Sequence, residues 1–270
     1  MASNTGFSNV DASGRAGELV DYLGLLAARL ADFRREGYEL LGLEPGMRVL
    51  DVGCGAGEVC VELAARVGPE GGVAGIDLSE AMIDAARRAS AAVGCAIDWR
   101  VASAYELPFA DQSFDAVRAE RVLQHLEHPE RALAEMRRVT RAGGRILVVD
   151  PDHGQMGLAL DDPAQRRVFE AVRRALLAAI VNPHSGVNLG PLLRSAGLTD
   201  VRVQGRVLEV GAEDFARLFF LHDLLDALVA SGELSGAQAR DFIEALRERA
   251  AAGNFYSNVV GYNAVARRPT

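Results

Sequence analysis

Three glycines at alternate positions, Gly53, Gly55 and Gly57, follow an apolar run that carries an acid, Val49-Leu50-Asp51-Val52, with Cys54 between the first two. Glycine has no Cβ and enters left-handed backbone at little cost, so such a loop can turn sharply and bring its N–H groups against a ligand at the start of a helix. A helical pattern begins at once in Glu58-Val59-Cys60-Val61-Glu62-Leu63-Ala64-Ala65. A second apolar run, Gly72-Val73-Ala74-Gly75-Ile76, closes on Asp77, whose carboxylate can accept two hydrogen bonds from a ribose diol. Strand, glycine loop, helix, strand and acid read together as a cradle for a nucleotide-type cofactor.

Spacing distinguishes the relatives of this cradle. A dinucleotide fingerprint is G-x-G-x-x-G; here the loop is G-x-G-x-G and position 58 is Glu, a carboxylate that would lie close to a pyrophosphate. Asp51 at the end of the first strand suits a cationic ligand better, such as the ammonium of S-adenosylmethionine (SAM). Open α/β sheets bind ligands at the carboxyl ends of their strands, and two more polar clusters fall there. Glu120-Arg121 leads into Val122-Leu123-Gln124-His125, and Asp150-Pro151-Asp152-His153 closes the fifth strand. His125 is the leading candidate for deprotonating a hydroxyl or acidic carbon, with a helix cap as its alternative; His153 either meets the substrate or sits in a solvated loop. Arg121 meets either the carboxylate of the cofactor or of an acidic substrate, or pairs structurally with Glu120 or another acid. No metal is expected, because the second cluster lacks a further ligand pattern. His184 reads as a loop residue, His222 as a packed lid residue and His128 as a solvated helix start.

Four ordered blocks between about Pro45 and Pro151 carry a resemblance: Val49 to Gly57, Gly75-Ile76-Asp77-Leu78-Ser79-Glu80-Ala81-Met82, Glu106-Leu107-Pro108-Phe109-Ala110-Asp111-Gln112-Ser113-Phe114-Asp115, and Arg141-Ala142-Gly143-Gly144-Arg145. In these the chain resembles class I SAM-dependent methyltransferases, within them the ubiquinone/menaquinone C-methyltransferase-like group that includes many small-molecule enzymes. The resemblance implies SAM as cofactor and S-adenosylhomocysteine (SAH) as product. It also implies that Asp51, Gly53, Gly55 and Gly57, with Cys54 in the same loop, hold the methionine part, Asp77 the ribose, and Leu78 and Met82 the adenine. It puts the segment from Glu120 and Arg121 to His125 beside the methyl. Where the family usually has Asp-Ala, this chain has Ser103 and Ala104, so the adenine contact passes to the Ser103 hydroxyl or backbone.

The 270 residues are half apolar and carry a net charge of −8, with no Lys/Arg block longer than two. The pairs Arg34-Arg35, Arg87-Arg88, Arg137-Arg138, Arg166-Arg167 and Arg173-Arg174 read as solvated helix faces, which argues against a nucleic-acid stripe. After the fourth strand the chain also lacks the Asn/Asp-Pro-Pro-aromatic motif of amide and nucleobase methylation; Asn182-Pro183-His184 imitates it elsewhere. Cys54, Cys60 and Cys95 have neither disulfide nor metal spacing and are expected as reduced thiols. The start, Met1 to Phe7, shows no leader pattern and no apolar run long enough to cross a membrane, so a cytoplasmic protein without membrane insertion is expected.

Strand patterns near 47–52, 72–77, 97–101, 114–119 and 144–150 alternate with helical ones near 57–67, 79–93 and 128–140, the last closed by Gly143-Gly144. This predicts an α/β fold, a Rossmann-like seven-stranded, mostly parallel sheet with helices on both faces. Leu19, Tyr22, Leu23, Leu26, Leu30 and Phe33 form one amphipathic helical stretch, a cap over the cofactor site or a cover for the sheet edge. The division expected is a tail and helical cap over 1–44 and one methyltransferase domain over 45–270, with helical insertions at about 155–196 and 212–252. Within the first insertion, a helix over 163–180 is broken by the loop 182–186 before a short helix over 189–196. Phe215, Phe219, Phe220, Phe255 and Tyr256 are candidates to line a lid cavity. The reading is methyl transfer to O, C or N of a mostly apolar small molecule; a non-methylating SAM-binding protein, a nicotinamide oxidoreductase and an RNA or protein methyltransferase are the alternatives. A homo-oligomer is compatible with the sequence, which leaves the oligomeric state open.

Overall fold

In the computed structural model, which describes residues 10–92, 94 and 96–270, the sheet grows outward from its most buried strand. Strand β1 (Arg48–Val52) is flanked by β2 (Gly72–Asp77) and β4 (Phe114–Glu120), then by β3 (Asp98–Val101) and β5 (Thr140–Leu158). The last two strands, β6 (Thr199–Val210) and β7 (Ser257–Arg267), complete a seven-stranded sheet of order β3-β2-β1-β4-β5-β7-β6. All pairings are parallel except those of β7 with β5 and β6. Val49, Leu50 and Val52 are fully buried, as the continuous apolar runs of a sheet covered on both faces require.

Helices α1 (Val10–Ser13), α2 (Ala16–Arg29) and α3 (Ala31–Leu41) precede the sheet; α4 (Glu58–Val67), α5 (Glu80–Ala92) and α6 (Pro129–Val139) alternate with its strands. Then come α7 (Pro163–Ala179) and α8 (Ser185–Ser195), and between β6 and β7 lie α9 (Ala212–Leu218), α10 (Leu221–Ala230) and α11 (Gly236–Ala251). One apolar cluster centres on Leu50, Val117, Leu133 and Ile146 beneath α6 and α8, and a separate one joins α7 to α9–α11 through Phe169, Phe215, Leu225 and Phe242. Among the described residues no helix is long and apolar enough to cross a membrane.

Several local expectations are corrected. The stretch from Leu19 to Phe33 is two helices, broken at Leu30, and the Leu26 side chain lies outside the described residues, as do Cys95 and Met1 to Phe7. The α6 helix ends at Val139, where Thr140 turns extended, so Gly143-Gly144 falls inside the strand run instead of closing the helix. Strand β5 runs on to Leu158 because β7 keeps pairing with it, Pro151 against Gly261, beyond the point where β4 ends at Glu120 opposite Val149. Pro151 is tolerated because one flank is unpaired there. Asp150 to His153 therefore lie within a strand, and 155–158 are not part of a helical insertion. Helix α8 starts at Ser185, so the break after α7 is shorter than expected. His222 is exposed on α10, whose buried face is Leu221, Leu224, Leu225 and Leu228. Arg34 is not on a solvated face: it is 4% exposed.

Candidate functional site

The chain leaves β1 through a loop in which Gly53, Gly55 and Gly57 all take left-handed backbone, at φ 70°, 54° and 89°. Packing restricts them further. A Cβ at Gly53 would lie 2.4 Å from Val122 Cγ2, and one at Gly57 would lie 2.7 Å from both Ala86 Cβ and the Trp99 ring. Asp77 ties this loop to the end of β2: Oδ2 accepts the Gly55 N–H at 3.0 Å and Oδ1 the Ser79 N–H at 2.9 Å. Burial raises the Asp77 pKa, and these N–H bonds oppose the shift. Leu78 beside it is 67% exposed, a bare apolar side chain at the rim, whereas Met82 is buried with Val10, Leu19 and Ala56.

Behind the loop lies an ion cluster set by strand register. Asp51 of β1 sits directly opposite Arg118 of β4, and Arg118 Nη1 donates to Asp51 Oδ1 at 3.1 Å. Arg118 also pairs with Glu120, whose two oxygens accept from Arg34 at 3.0 and 3.1 Å. Arg34 reaches Glu62, which also accepts from the Tyr38 hydroxyl at 2.9 Å. Burial pushes Glu120 up, but Arg118 and Arg34 outweigh it and hold its pKa at about 2. For Asp51 burial wins over Arg118, and its pKa rises to about 6. Burying such ions gains little stability against apolar packing, so their place at a cavity wall points to a ligand.

Glu120 is therefore not the partner of Arg121. At φ 59°, Arg121 holds a left-handed backbone unusual for a long side chain. Its Nη2 donates to the Tyr22 hydroxyl at 2.8 Å, and among the described residues no carboxylate stands within ion-pair distance of it. The 3-10 turn Leu123–His125 follows. Gln124, 1% exposed, stands between two imidazoles: its Nε2 is 3.1 Å from His125 Nε2 and its Oε1 is 2.9 Å from His153 Nε2. Asn182 clamps the turn, donating through Nδ2 to the carbonyls of Leu123 and Leu126 and through its backbone N–H to that of Gln124. Burial, and after it the Arg121 charge, lowers both histidines to a pKa of about 3, so both are neutral at pH 7. Burial raises Asp150 to about 7, although Ser185 Oγ donates to it at 2.6 Å.

Two cavities meet here. The first, about 410 Å³, is lined by Asp51, Gly53, Cys54, Gly55, Asp77, Leu78, Met82, Ser103, Ala104, Val122 and His125. The second, about 300 Å³, has a polar floor of Tyr22, Asp150 and His153 and apolar walls from Leu30, Phe33, Val207, Leu208, Val210, Leu218, Phe219 and Val259. Glu120 and Arg121 line both. At the rim of the second, Arg29 pairs with Asp214 at 2.7 Å and Arg206 with Glu36.

The structure thus gathers Asp51, Gly53, Cys54, Gly55, Asp77, Leu78, Met82, Ser103, Ala104, Glu120, Arg121 and His125 around one cavity, with Gly57 as the N-cap of α4 at its base. His153 opens on the other cavity. Of the aromatic candidates, Phe219 lines the second cavity, Phe220 stacks on Tyr22 at 5.3 Å, Phe215 and Phe255 pack in the α7–α11 core, and Tyr256 is 43% exposed. His184 stands at the N-cap position of α8 without a side-chain capping bond and pairs with Asp152 at 2.9 Å; His128 is exposed beside Glu130. Sequence reasoning missed Arg118, read Arg34 as a solvated-face residue, and named Tyr22, Gln124 and Asp150 only within longer segments, without the roles their contacts give them. A charged residue in the middle of a buried strand was the available signal for Arg118; Gln124 carried none.

Residues 50–148 match the family model described as a methyltransferase domain. Across 253 residues the chain is 32% identical to an uncharacterized 37.1 kDa protein in transposon TN4556 of Streptomyces fradiae, covering 92% of this chain and 71% of that one. Across 228 residues it is 31% identical to the ubiquinone/menaquinone biosynthesis C-methyltransferase UbiE of Cupriavidus taiwanensis, covering 73% of this chain and 90% of the relative. The match to the corresponding protein of Bordetella parapertussis, 39% identical, spans 42% of its length. Among solved structures the fold is shared with the [4+2]-cyclase SpnF, at TM-score 0.56 and 21% identity over 90% of this chain and 81% of that one. It is also shared with geranyl diphosphate C-methyltransferase from Streptomyces coelicolor A3(2), at TM-score 0.54 and 17% identity over 92% and 82%. The glycine cradle, the acid that closes β2 beside it and the matches over most of the chain's length lead to one assignment: this chain belongs to the class I SAM-dependent methyltransferases, in the ubiquinone/menaquinone C-methyltransferase-like group.

Proposed function

We propose that the chain methylates O, C or N of a mostly apolar small molecule held in the second cavity, with the cofactor in the first. The observation that carries this is the junction: two cavities of about 410 and 300 Å³ abut at Glu120 and Arg121, one lined by the cradle and the other by apolar side chains. The residues present fit SAM. Gly55 has a left-handed φ and no side chain at the cavity wall, Asp77 stands beside it, and the cluster of Asp51, Glu120 and Glu62 against Arg118 and Arg34 suits an ammonium. Asp77 would hold the ribose, Leu78, Met82, Ser103 and Ala104 the adenine, and Arg121 a carboxylate. When bound, SAM supplies an electrophilic methyl on a sulfonium.

The chain's own contribution is alignment and exclusion of water. Orientation of a nucleophile is worth effective molarities of about 10⁵ to 10⁸ M, and an apolar chamber strengthens the attraction between a sulfonium and an anionic nucleophile. Leu30, Phe33, Leu218 and Phe219 build that chamber, the neutral imidazole of His153 stands at its polar end as a proton acceptor, and His125 lines the neighbouring cofactor cavity. A screen of phenolic, quinol-like, polyketide and amine acceptors for SAH release tests the proposal. Turnover with a member of such a set is expected; SAH binding combined with turnover only on RNA or protein would refute it.

A further inference from the structure

A carboxamide has two distinct ends, and Gln124 uses both. Its Nε2 lies 3.3 Å from the Arg121 carbonyl oxygen and 3.1 Å from His125 Nε2, and its Oε1 lies 2.9 Å from His153 Nε2. A backbone carbonyl can only accept, so the NH2 end must face Arg121; the opposite orientation would set two carbonyl oxygens against each other. His125 Nε2 must then accept, which puts the proton of this neutral ring on Nδ1. His153 Nε2 faces an amide oxygen and must carry its proton, which leaves the lone pair on Nδ1. That Nδ1 is buried and, among the described residues, without a hydrogen-bond partner, on a ring that lines the second cavity with Arg121. One loop fixes both partners, since Asn182 donates to the Gln124 carbonyl at 2.9 Å and Pro183 accepts from the His153 N–H at 2.9 Å.

We propose that Gln124 is a positioning residue that holds His153 in its Nε2–H tautomer, so that Nδ1 receives the proton of a methyl acceptor bearing an O–H or N–H group. This rests on the reading of the second cavity as the acceptor site. The O–H or N–H bond breaks with its electron pair left on the acceptor atom, and the proton forms an N–H bond at Nδ1; that acceptor atom would bond the methyl carbon as the methyl–sulfur bond of the sulfonium breaks with its electron pair on sulfur. The resulting imidazolium keeps its Nε2–H bond to Gln124 and returns the proton to water after the product leaves. Gln124 itself neither gains nor loses a proton. His125, whose Nε2 lone pair is taken up by the amide, is the less suited of the two rings. Burial and the Arg121 charge keep His153 neutral beforehand, which preserves the lone pair at working pH.

The tautomers are directly measurable. In the full chain with ¹⁵N-labelled histidine and bound SAH, long-range ¹H–¹⁵N correlation at neutral pH should show His153 protonated at Nε2 and His125 at Nδ1, with signals assigned by single histidine replacements. In Gln124→Glu the group facing His125 becomes an acceptor, so His125 should switch to its Nε2–H form while His153 keeps its own. In Gln124→Met, which keeps the volume without polarity, His153 should become a mixture of tautomers. Wild-type His153 protonated at Nδ1, or a His125 tautomer unchanged in Gln124→Glu, overturns the proposal, and the wild-type spectrum decides even where a variant fails to fold. Absence of SAH binding to the wild type would instead overturn the cofactor reading, with the tautomers read on the free protein.

Discussion

Replacing Asp77 with alanine should remove SAM binding through two losses that the structure separates. In the protein, Asp77 Oδ2 and Oδ1 accept the backbone N–H groups of Gly55 and Ser79 at 3.0 and 2.9 Å, so the carboxylate pins the glycine loop to the end of β2. For the ligand, the same carboxylate would accept from a ribose diol. Hydrogen bonds to a charged group contribute about 1.5–3 kcal/mol each. Taking the lower figure for two ribose bonds gives about 3 kcal/mol, or about 10²-fold in Kd. Loss of the loop anchor adds to this and should lower unfolding free energy by about 1–3 kcal/mol, because burial already offsets part of what these bonds contribute. Asp77→Asn gives an intermediate result: its amide can present only one acceptor oxygen, so one backbone N–H meets another donor. Calorimetry with SAH and urea unfolding on the same preparations measure both effects. A folded Asp77→Ala protein that binds SAH within about threefold of wild type, well under the 10²-fold expected, would refute the reasoning.

Gly55→Val places a β-branched side chain at φ 54°, with its Cβ 2.8 Å from Leu23, in the wall of the first cavity; SAH binding by calorimetry should vanish while circular dichroism keeps the fold. Glu120 has a folded pKa of about 2 against an ordinary 4.5, so its stabilisation is present above pH 4.5 and lost as pH falls toward 2. Glu120→Gln should cost about 3 kcal/mol in urea unfolding at pH 7 and lose less stability than wild type as the medium is acidified through that window. Asp51 behaves oppositely: burial raises it from 3.8 to about 6, so stability is fully present below pH 3.8 and lost as pH rises through 6. Asp51→Asn should flatten that decline by about 3 kcal/mol in unfolding measured at pH 4 and pH 7, and lower SAH affinity at the same time.

The sequence alone determined whatever local backbone chemistry dictates. Gly53, Gly55 and Gly57 were legible because positive φ without a side chain has one common solution, and all three adopt it. Asp77 was legible because an acid ending an apolar strand beside that loop has few other places to be, and the alternation of 2- and 3.6-residue periods determined the sheet and its covering helices. Tertiary structure decided everything that depends on register or on distant segments meeting. Asp51 faces Arg118 because β1 and β4 pair in one register and not its neighbour, and Arg34 reaches Glu120 from a helix 86 residues earlier. Strand β5 lengthened past Asp150 because a strand more than a hundred residues later continued to pair with it. Which nitrogen of His125 and of His153 meets a hydrogen-bond partner depended on the amide of Gln124, which stands between the two rings. A side chain's tautomer and charge are set by what surrounds it in space, and the order of residues along the chain carries no record of those surroundings until the chain has folded.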